Sequence, residues 1–421
     1  MNDLTPSGAA SPARVLIVEP VSSGSQVVRD AHELGFAVTV ASADEGERAL
    51  SPELREIVDT LLIVDTNDEQ ALSECVLRHH ESTPLAAVVP GGELTVPAVT
   101  RINSGLGLPG LPTTAVDWVR NKASMRARVA DAGLLVPRFA LASTVEEVEA
   151  AASEVGFPCV LKPVESSGSI HVSRADSLDE LVTAYRELIA DRRLDLGVAL
   201  DSRVLLEEYV AGPEFSADGY VYEGRVTILS LTRKLLGPEP YFVELGHVVP
   251  SSVPAEVTEQ VTEYVAGVVD AVQLTAGPFH CELRLSSRGP VLMEIAARLP
   301  GDRIAELVQR ATGVSMSRIM LAAYLDRSPE ALVAFRAPQT KCAGIRYFTA
   351  PRLDRYSAIQ GWEQIAARPE VIETGIFIQP GEEIPPLHDF RGRVAYALFS
   401  TDSAEQALEL WQDLGDSVAF V

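Results

Sequence analysis

Apolar residues in the first 112 positions form short continuous runs separated by amphipathic stretches. The runs RVLIV, FAVTVA, TLLIV and LAAVV have the length of buried strands. The segments between them carry apolar residues at helical spacing, as Val27, Ala31 and Leu34 do in GSQVVRDAHELG. Strands that alternate with helices are typical of a parallel sheet covered by helices. We therefore predict an N-terminal α/β domain.

Beyond Pro137 the pattern changes, because strand-like segments follow one another without helices between them. RVLLEEYV leads into FSADGYVYEGRVTILSL, whose Glu223-Gly224 pair suits a two-residue hairpin turn. This half is predicted to be α+β with antiparallel sheet. The predicted divisions are a disordered tail at 1–13, the α/β domain at 14–112, a helical linker at 113–136, a small subdomain at 137–210, a second subdomain at 211–334 and an α+β extension at 335–421.

The chain is strongly acidic, with 35 Lys and Arg against 59 Asp and Glu and a formal net charge of −24. No basic patch offsets this excess, which argues against nucleic acid or an anionic membrane surface as a partner. The four cysteines are scattered, without CxxC or histidine spacing, which indicates reduced thiols. The opening residues lack the pattern of a signal peptide, and no apolar run reaches the length of a membrane span. We therefore expect a cytoplasmic protein.

Two consecutive strand-like segments, FHCELRLSSR and GPVLMEIAAR, each carry a glutamate. Alternation puts Glu282 on the face opposite Cys281, and Glu294 on the face opposite Ile295, together with Leu292. If the loop from 286 to 290 closes a hairpin, the two glutamates face each other and repel unless a cation lies between them. A divalent metal such as Mg²⁺ suits such oxygen ligands. The alternative is a surface hairpin whose glutamates face water or pair with Arg284 and Arg298.

The chain resembles the ATP-grasp carboxylate–amine ligases in several segments that occur in the order found in that family. These segments are Asn121-Lys122 on a helix, Lys162 in VLKP, the ESSGS loop at 165–169, Glu207 in LLEEYV, Glu214 in GPEFS, and E-x-A-x-R from Glu294 to Arg298. Within the family the chain is most similar to the L-amino-acid ligases, because of GHVVP at 246–250 and the RLPGDRI segment after the hairpin. The resemblance implies an ATP-grasp fold, with an N-terminal parallel pre-ATP-grasp domain, a central lid and a C-terminal antiparallel catalytic domain.

The resemblance also implies the ligands of ATP and of its metal ion. ATP would be bound by Lys122, Lys162, Ser166, Ser167, Gly168, Ser169, Glu207, Glu208, Tyr209, Val210 and Glu214. Glu282 and Glu294 would bind Mg²⁺, with two ions expected and Mn²⁺ as the alternative ion. Many relatives have Asn where this chain has Ala296, which leaves the coordination of the second ion open. Taken alone, these residues are also compatible with solvated lysines, a plain turn and surface glutamates.

Catalytic and substrate roles follow from the same resemblance. Arg298 would stabilise charge that develops on oxygen, and His247 would act near the reacting carboxyl group, although a structural histidine fits the sequence equally well. The amino-acid substrates would be contacted by Glu93, Ser23 and Gly301. Lys234 and Glu244 are further candidates on the segments that lead to His247, and Glu93 alone could equally be a residue that starts a helix.

The implied reaction transfers the γ-phosphoryl group of ATP to a carboxylate, and an amine then attacks the acyl phosphate to release phosphate. Such chemistry depends on positioning and charge neutralisation, so no nucleophilic Ser or Cys constellation is required. We expect amino acids as small-molecule partners, no nucleic acid, no membrane and a homodimer. The alternatives are an ATP-grasp ligase of the purine-pathway or D-alanine type, a protein that binds ATP without catalysis, and an enzyme that forms acyl adenylates.

Overall fold

The computed structural model describes residues 12–166, 168–333 and 336–421. The strands are β1 Arg14–Val18, β2 Ala37–Ser42, β3 Thr60–Ile63, β4 Ala87–Pro90, β5 Phe139–Ala142, β6 Cys159–Pro163, β7 Ser173–Ala175, β8 Leu194–Asp195, β9 Val198–Ala199, β10 Val204–Glu208, β11 Glu214–Tyr222, β12 Arg225–Leu236, β13 Glu244–Val249, β14 Gly277–Ser286, β15 Gly289–Ala296, β16 Cys342–Thr349, β17 Ile359–Gln360, β18 Val371–Ile376, β19 Arg393–Thr401 and β20 Ala419–Phe420. The helices are α1 Gly24–Glu33, α2 Pro52–Ile57, α3 Glu69–Ser82, α4 Val96–Leu106, α5 Val116–Arg120, α6 Lys122–Asp131, α7 Val145–Val155, α8 Leu178–Ala190, α9 Ala255–Ala271, α10 Ile304–Thr312, α11 Met316–Tyr324, α12 Pro329–Leu332, α13 Trp362–Ala366 and α14 Ala404–Asp416.

The first of two compact units runs to Gly110 and also contains Ser317–Leu332. Its four strands form a parallel sheet in the order β3-β2-β1-β4, which confirms the parallel N-terminal domain. The segment from 317 to 332 was predicted to lie in the second subdomain. It joins the first unit because the buried carboxylate of Asp30 accepts hydrogen bonds from the Ser317 hydroxyl and from Arg318 Nε, the latter at 3.3 Å. Most of the predicted tail, residues 1–11, lies outside the described residues.

The second unit contains Leu111–Met316 and Val333–Val421. One of its sheets is small and antiparallel, in the order β5-β10-β6-β7, and packs against α7 and α8. Thr144 and Ser177 cap these helices, since each side chain accepts a hydrogen bond from a backbone N–H in the first turn. Val148 of α7 and Leu181 of α8 are fully buried in the same core as Leu161 of the sheet.

A larger antiparallel sheet of eight strands, in the order β15-β14-β11-β12-β13-β16-β19-β18, forms the rest of the second unit. The turn between β11 and β12 is the predicted Glu223-Gly224 pair, and both residues have positive φ values of 50° and 72°. Three strands of the predicted extension, β16, β18 and β19, are members of this sheet. The extension is therefore continuous with the sheet that carries both glutamates.

Two predicted elements differ in detail from the structure. The strand predicted from Ile170 begins only at Ser173, because Ser169 and His171 have the left-handed φ values of 60° and 51°. The helical segment before residue 136 is broken at Asn121, whose side chain accepts a hydrogen bond from Ser124 N and caps α6. Among the helices of the described ranges, none is both long enough and apolar enough to cross a membrane.

Candidate active site

The two glutamates of the β14–β15 hairpin lie opposite each other. Glu282 is the cross-strand partner of Glu294, which confirms the predicted register. The predicted loop is shorter than expected, because Ser286 still pairs with Gly289. Strict alternation also fails, because a bulge next to Glu282 pairs Leu283 with Leu292 and leaves Met293 as the additional residue. Leu292 therefore lies on the face of Leu283 instead of that of Glu294.

Each glutamate of the pair has a lysine partner. Lys122 Nζ lies 3.3 Å from Glu294 Oε1 and donates to the carbonyl oxygen of Ser166 at 2.7 Å. Lys234 Nζ hydrogen-bonds to Glu282 and lies 2.5 Å from Glu244 Oε1. The predicted repulsion between the carboxylates is therefore offset by ammonium groups within the described protein.

Lys234 lies at the centre of a buried acidic cluster. Carboxylate oxygens of Glu214, Glu244 and Glu282 lie within 4.8 Å of one another around it. Burial favours neutral Lys234, but the three carboxylates outweigh this effect and raise its pKa well above the ordinary value. Burial likewise works against ionised Glu282, yet Lys234 and His280 hold the pKa of its carboxyl group well below the usual range. Lys234 and Glu282 therefore both remain charged near neutral pH.

Lys162 belongs to a second buried network. Its Nζ lies 2.5 Å from Glu207 Oε2, and the other oxygen of Glu207 accepts a hydrogen bond from Arg126 Nε at 2.5 Å. Burial lowers the pKa of Lys162, despite the charge of Glu207. Burial alone would raise the pKa of the Glu207 carboxyl group, but Arg126 and Lys162 together lower it. Both oxygens of Glu207 are thus bound by protein cations.

Arg126 was missed in the sequence. Its guanidinium is fully buried and also donates to the carbonyl oxygen of Met293, the bulged residue beside Glu294. An arginine on a polar helix resembles a surface residue. The available signal was its spacing, because residues 122 and 126 lie four positions apart and so share one face of α6.

The predicted nucleotide-binding residues after β10 have protein partners of their own. Tyr209 N donates to Pro158 O at 3.1 Å, and Tyr209 Oη donates to Glu239 Oε1 at 2.6 Å. Arg284 connects Val210 and Glu214, because its Nη1 donates to Val210 O at 2.8 Å and its Nε donates to Glu214 Oε2 at 2.9 Å. The carboxylate of Glu208, also in this group, accepts a hydrogen bond from Arg138 Nε at 2.8 Å.

Most of the predicted residues line one cleft of the second unit, which has an empty volume of about 870 Å³. The predicted residues in its wall are Lys122, Lys162, Ser166, Gly168, Ser169, Glu207, Glu208, Val210, Glu214, Glu244, Glu282, Glu294 and Arg298. Tyr209, Lys234 and His247 are not among the lining residues, and Ser167 lies outside the described residues. Arg298 Nη1 donates to Leu299 O at 2.8 Å. With the exception of Tyr209 and Ser167, the predicted nucleotide and metal ligands lie together in the wall of this cleft.

His247 belongs to a charged cluster beside the cleft. Its Nε2 lies 3.2 Å from Asp302 Oδ2 and 3.3 Å from Glu244 Oε2, and Arg393 Nη1 donates to Asp302 Oδ1 at 2.9 Å. Burial lowers the pKa of His247, but Asp302 and Glu244 outweigh burial and raise it. Asp302 was not among the predicted site residues, although it lies shortly after Arg298 in the sequence. Its φ is positive, at 52°. Glu244 lines the cleft and connects it to this cluster.

The predicted substrate residues are divided between the two units. Ser23 precedes α1, and Glu93 begins a short 3₁₀ helix, Glu93–Thr95, after β4 in the first unit. Their loops touch, because a Cβ atom on Gly24 would lie 1.9 Å from the carbonyl oxygen of Gly91. Both loops are at the carboxyl end of the parallel sheet, as predicted. Gly301 is in the second unit, where its carbonyl oxygen accepts a hydrogen bond from the first amide of α10.

Comparison with known proteins agrees with this geometry. Residues 155–306 match the model of the ATP-grasp domain, and residues 28–110 match that of the ATP-grasp N-terminal domain. The chain thus contains ATP-grasp domains. Residues 346–421 match the L-amino acid ligase C-terminal domain 2 and lie within the predicted extension.

Two of the similar proteins are L-amino acid ligases. The chain is 27% identical to the uncharacterized protein y4rH of Sinorhizobium fredii over 96% of this chain and 82% of that protein. It is 24% identical to an L-arginine-specific L-amino acid ligase of Bacillus subtilis over 73% of this chain and 71% of that protein. The crystal structure of an L-amino acid ligase from Bacillus licheniformis is 25% identical, with a TM-score of 0.81 over 98% of this chain and 99% of that one.

Proposed function

We propose that this protein is an ATP-dependent ligase that joins the carboxylate of one amino acid to the amine of another and releases ADP and phosphate. The observation that carries this proposal is the register of Glu282 opposite Glu294 in a cleft that also holds Lys122 and Lys162. The match of residues 346–421 to the L-amino acid ligase C-terminal domain supports amino acids as both substrates. The reaction proceeds through an acyl phosphate.

The residues of the hairpin fit a bound Mg²⁺. Glu282 and Glu294 supply hard carboxylate oxygens, and their side chains are 21% and 20% exposed on the wall of the cleft. Bound Mg²⁺ neutralises the charge of the ATP phosphates. Glu282 and Glu294 would hold the metal, and a second ion would have only these two carboxylates of the hairpin, because the side chain of Ala296 offers no ligand atom. Mn²⁺ is an alternative ion for the same oxygen donors.

The cations of the cleft would bind the phosphates. Lys162 lies on β6 in the wall of the cleft. Glu207, which Arg126 also binds, fixes the position of the Lys162 ammonium group. Lys122 would bind phosphate oxygens near the ESSGS loop, because its ammonium group donates to the carbonyl oxygen of Ser166. Arg298 would stabilise the negative charge on the oxygens of the transferred phosphoryl group and of the tetrahedral intermediate.

The cluster of Glu244, His247 and Asp302 would receive the amine substrate. Two carboxylates within reach of one imidazole form a site for an ammonium group and for the proton that the amine loses. Ser23, Glu93 and Gly301 would contact the remaining parts of the amino acids.

We further propose that the protein is a cytoplasmic homodimer. Its four cysteines are unpaired thiols, and Cys159, Cys281 and Cys342 are buried, which suits a reducing compartment. Sedimentation equilibrium of the purified protein would test the dimer, and a single species of 45.2 kDa would contradict it.

The experiment is a screen of amino-acid pairs with ATP and Mg²⁺, monitored for ADP and followed by mass spectrometry. Formation of a dipeptide with one ADP per bond supports the ligase. AMP as the product would indicate an acyl adenylate, and ATP binding without ADP release would indicate a protein that does not catalyse the reaction.

Glu294→Gln is the matched negative variant for this screen. It removes one negative charge from the metal site while it keeps the size of the side chain, and we expect turnover to fall by about 100-fold or more. Glu259→Gln makes the same change on the exposed face of α9 and should retain full activity. Near-normal turnover of Glu294→Gln would contradict the metal assignment.

A further inference from the structure

The C-terminal extension reaches the ESSGS loop through the residues before β19. The ring of Phe390 lies against Gly168, since a Cβ atom on Gly168 would be only 2.5 Å from Phe390 Cδ1. Gly168 also has a φ of +64°, a backbone conformation in which residues other than glycine are strained. The loop thus has glycine at the position where an aromatic side chain from the extension is closest.

A second contact connects the extension to the loop through a third segment, which lies between β12 and β13. The ring of His388 stacks on Tyr241, with 4.0 Å between ring centroids and 23° between ring planes. Tyr241 forms a β-bridge with Ser173, which follows the loop. The carbonyl oxygen of Phe242 accepts a hydrogen bond from Ser169 Oγ at 3.1 Å. The loop is therefore held from one side by Phe390 and from the other by a segment that His388 contacts.

The contacting segment is itself fixed in place. The buried carboxylate of Asp389 accepts a hydrogen bond from Arg391 N at 2.9 Å and forms an ion pair with the Arg391 guanidinium at 2.5 Å. Arg393, the first residue of β19, forms an ion pair with Asp302 at 2.8 Å. Phe390 thus lies between Asp389 and Arg393, two residues that are held by ion pairs.

We propose that Phe390, with His388, is a positioning residue that holds the ESSGS loop in the conformation that binds the nucleotide phosphates. A loop that binds oxyanions through its backbone N–H groups loses affinity if it must be ordered on binding. Lys122 fixes the beginning of the loop through Ser166 O, and Phe390 fixes Gly168 farther along. This inference rests on the proposed function only in that the loop binds the phosphates of ATP.

The test compares Phe390→Ala with the wild type in binding of MgADP by calorimetry. We expect Kd to rise by about tenfold, while Kd for adenosine, which has no phosphate, stays unchanged. Hydrogen exchange of the peptide spanning 164–173 should become faster. Phe390→Tyr keeps the ring and should bind as the wild type does. Leu408→Ala is the control, because Leu408 also lies in the extension and is 39% exposed, against 38% for Phe390.

A double-mutant cycle examines the contact itself. Gly168→Ala should weaken MgADP binding strongly when Phe390 is present and less when residue 390 is alanine, because part of its effect is the collision with the ring. Unchanged MgADP affinity and exchange in Phe390→Ala, or strictly additive effects in the cycle, would overturn the inference. Ligase activity in the wild type would survive that outcome, whereas a wild type that binds MgADP but forms no dipeptide would refute the proposed function alone.

Discussion

Arg126 carries a positive charge in a place without solvent, between Glu207 and the carbonyl oxygen of Met293. Replacing it by methionine leaves Glu207 with Lys162 alone, and we expect the protein to lose about 3–5 kcal/mol of unfolding free energy. Arg126→Lys keeps the charge but cannot donate to both partners, so an intermediate loss is expected. Urea unfolding followed by fluorescence measures both changes.

The control for this prediction is Arg203→Met. Arg203 pairs with Asp201 at 2.6 Å, but its side chain is 47% exposed, and such pairs contribute only about 0.2–1 kcal/mol. If Arg126→Met were no more destabilising than Arg203→Met, the buried network would not hold Glu207 and Lys162 in place.

His247 gives the fold a pH dependence of defined sign. Its pKa in the folded protein is raised above the ordinary 6.5 by Asp302 and Glu244, against the effect of burial. The stabilisation is therefore fully present below about pH 6.5 and is lost as pH rises through the folded pKa. Arg393 and the ring of Tyr347 complete the surroundings of the imidazole. His247→Gln should lose more stability at about pH 6 than at about pH 9.

Urea unfolding of both proteins at the two pH values tests this prediction. A difference between wild type and His247→Gln that does not change with pH would mean that the pKa of the imidazole is the same in the folded and unfolded protein. An NMR titration of the His247 ring gives the same information directly, and the opposite sign of the shift would contradict the ion pairs with Asp302 and Glu244.

At the scale of elements, the pairing of Glu282 with Glu294 was predicted, but strand periodicity alone does not produce it. The strands pair in phase from the turn to Leu283 and Leu292, and the bulge at Met293 then brings Glu294 opposite Glu282. The bulge at Met293 could not be predicted, since no glycine marks it and its cause is distant in the sequence. Tyr264 Oη accepts a hydrogen bond from Leu292 N at 2.8 Å, and Arg126 binds Met293 O. Both partners come from helices outside the hairpin.

The packing of α14 on β13 gives a prediction about Gly246. A Cβ atom there would lie 2.2 Å from Trp411 Nε1 and 2.4 Å from the backbone oxygen of Ile345. Gly246→Ala should therefore cost about 1–3 kcal/mol of unfolding free energy through overpacking. It should also displace the neighbouring His247, and with it the cluster beside the cleft.

Gly105→Ala is the matched control for Gly246→Ala. Gly105 lies in α4, where an added Cβ atom meets nothing within 4 Å, so alanine should stabilise the helix by about 0.5–1 kcal/mol. Differential scanning calorimetry separates the two signs. Equal effects of both substitutions would show that Trp411 moves aside at little cost.

At the scale of the molecule, sequence patterns predicted the parallel sheet of the first unit but not the membership of the large antiparallel sheet. The extension at 335–421 was recognised as a mixture of strands and helices, and its strand β16 pairs with β13, nearly a hundred residues earlier. Such pairing depends on long-range contacts that local periodicity does not encode. Lys234 illustrates the same limit within the site, because its three carboxylate partners come from three different strands.

The positions of the three tryptophans make ligand binding measurable in one unit. Trp118, Trp362 and Trp411 all belong to the second unit, which contains the cleft, so their fluorescence reports on its unfolding. MgADP at 100 times its Kd should stabilise this unit by about 2.7 kcal/mol, because the ligand binds only the folded state.

The metal contribution follows from the same measurement. ADP with a chelator should stabilise less than MgADP, because Glu282 and Glu294 then repel the phosphates instead of sharing Mg²⁺ with them. In Glu294→Gln the difference between the two conditions should nearly disappear, whereas Glu259→Gln should preserve it. If MgADP and ADP stabilised the wild type equally, the nucleotide would bind without the metal, and the facing glutamates would owe their charge balance to Lys122, Lys234 and His280.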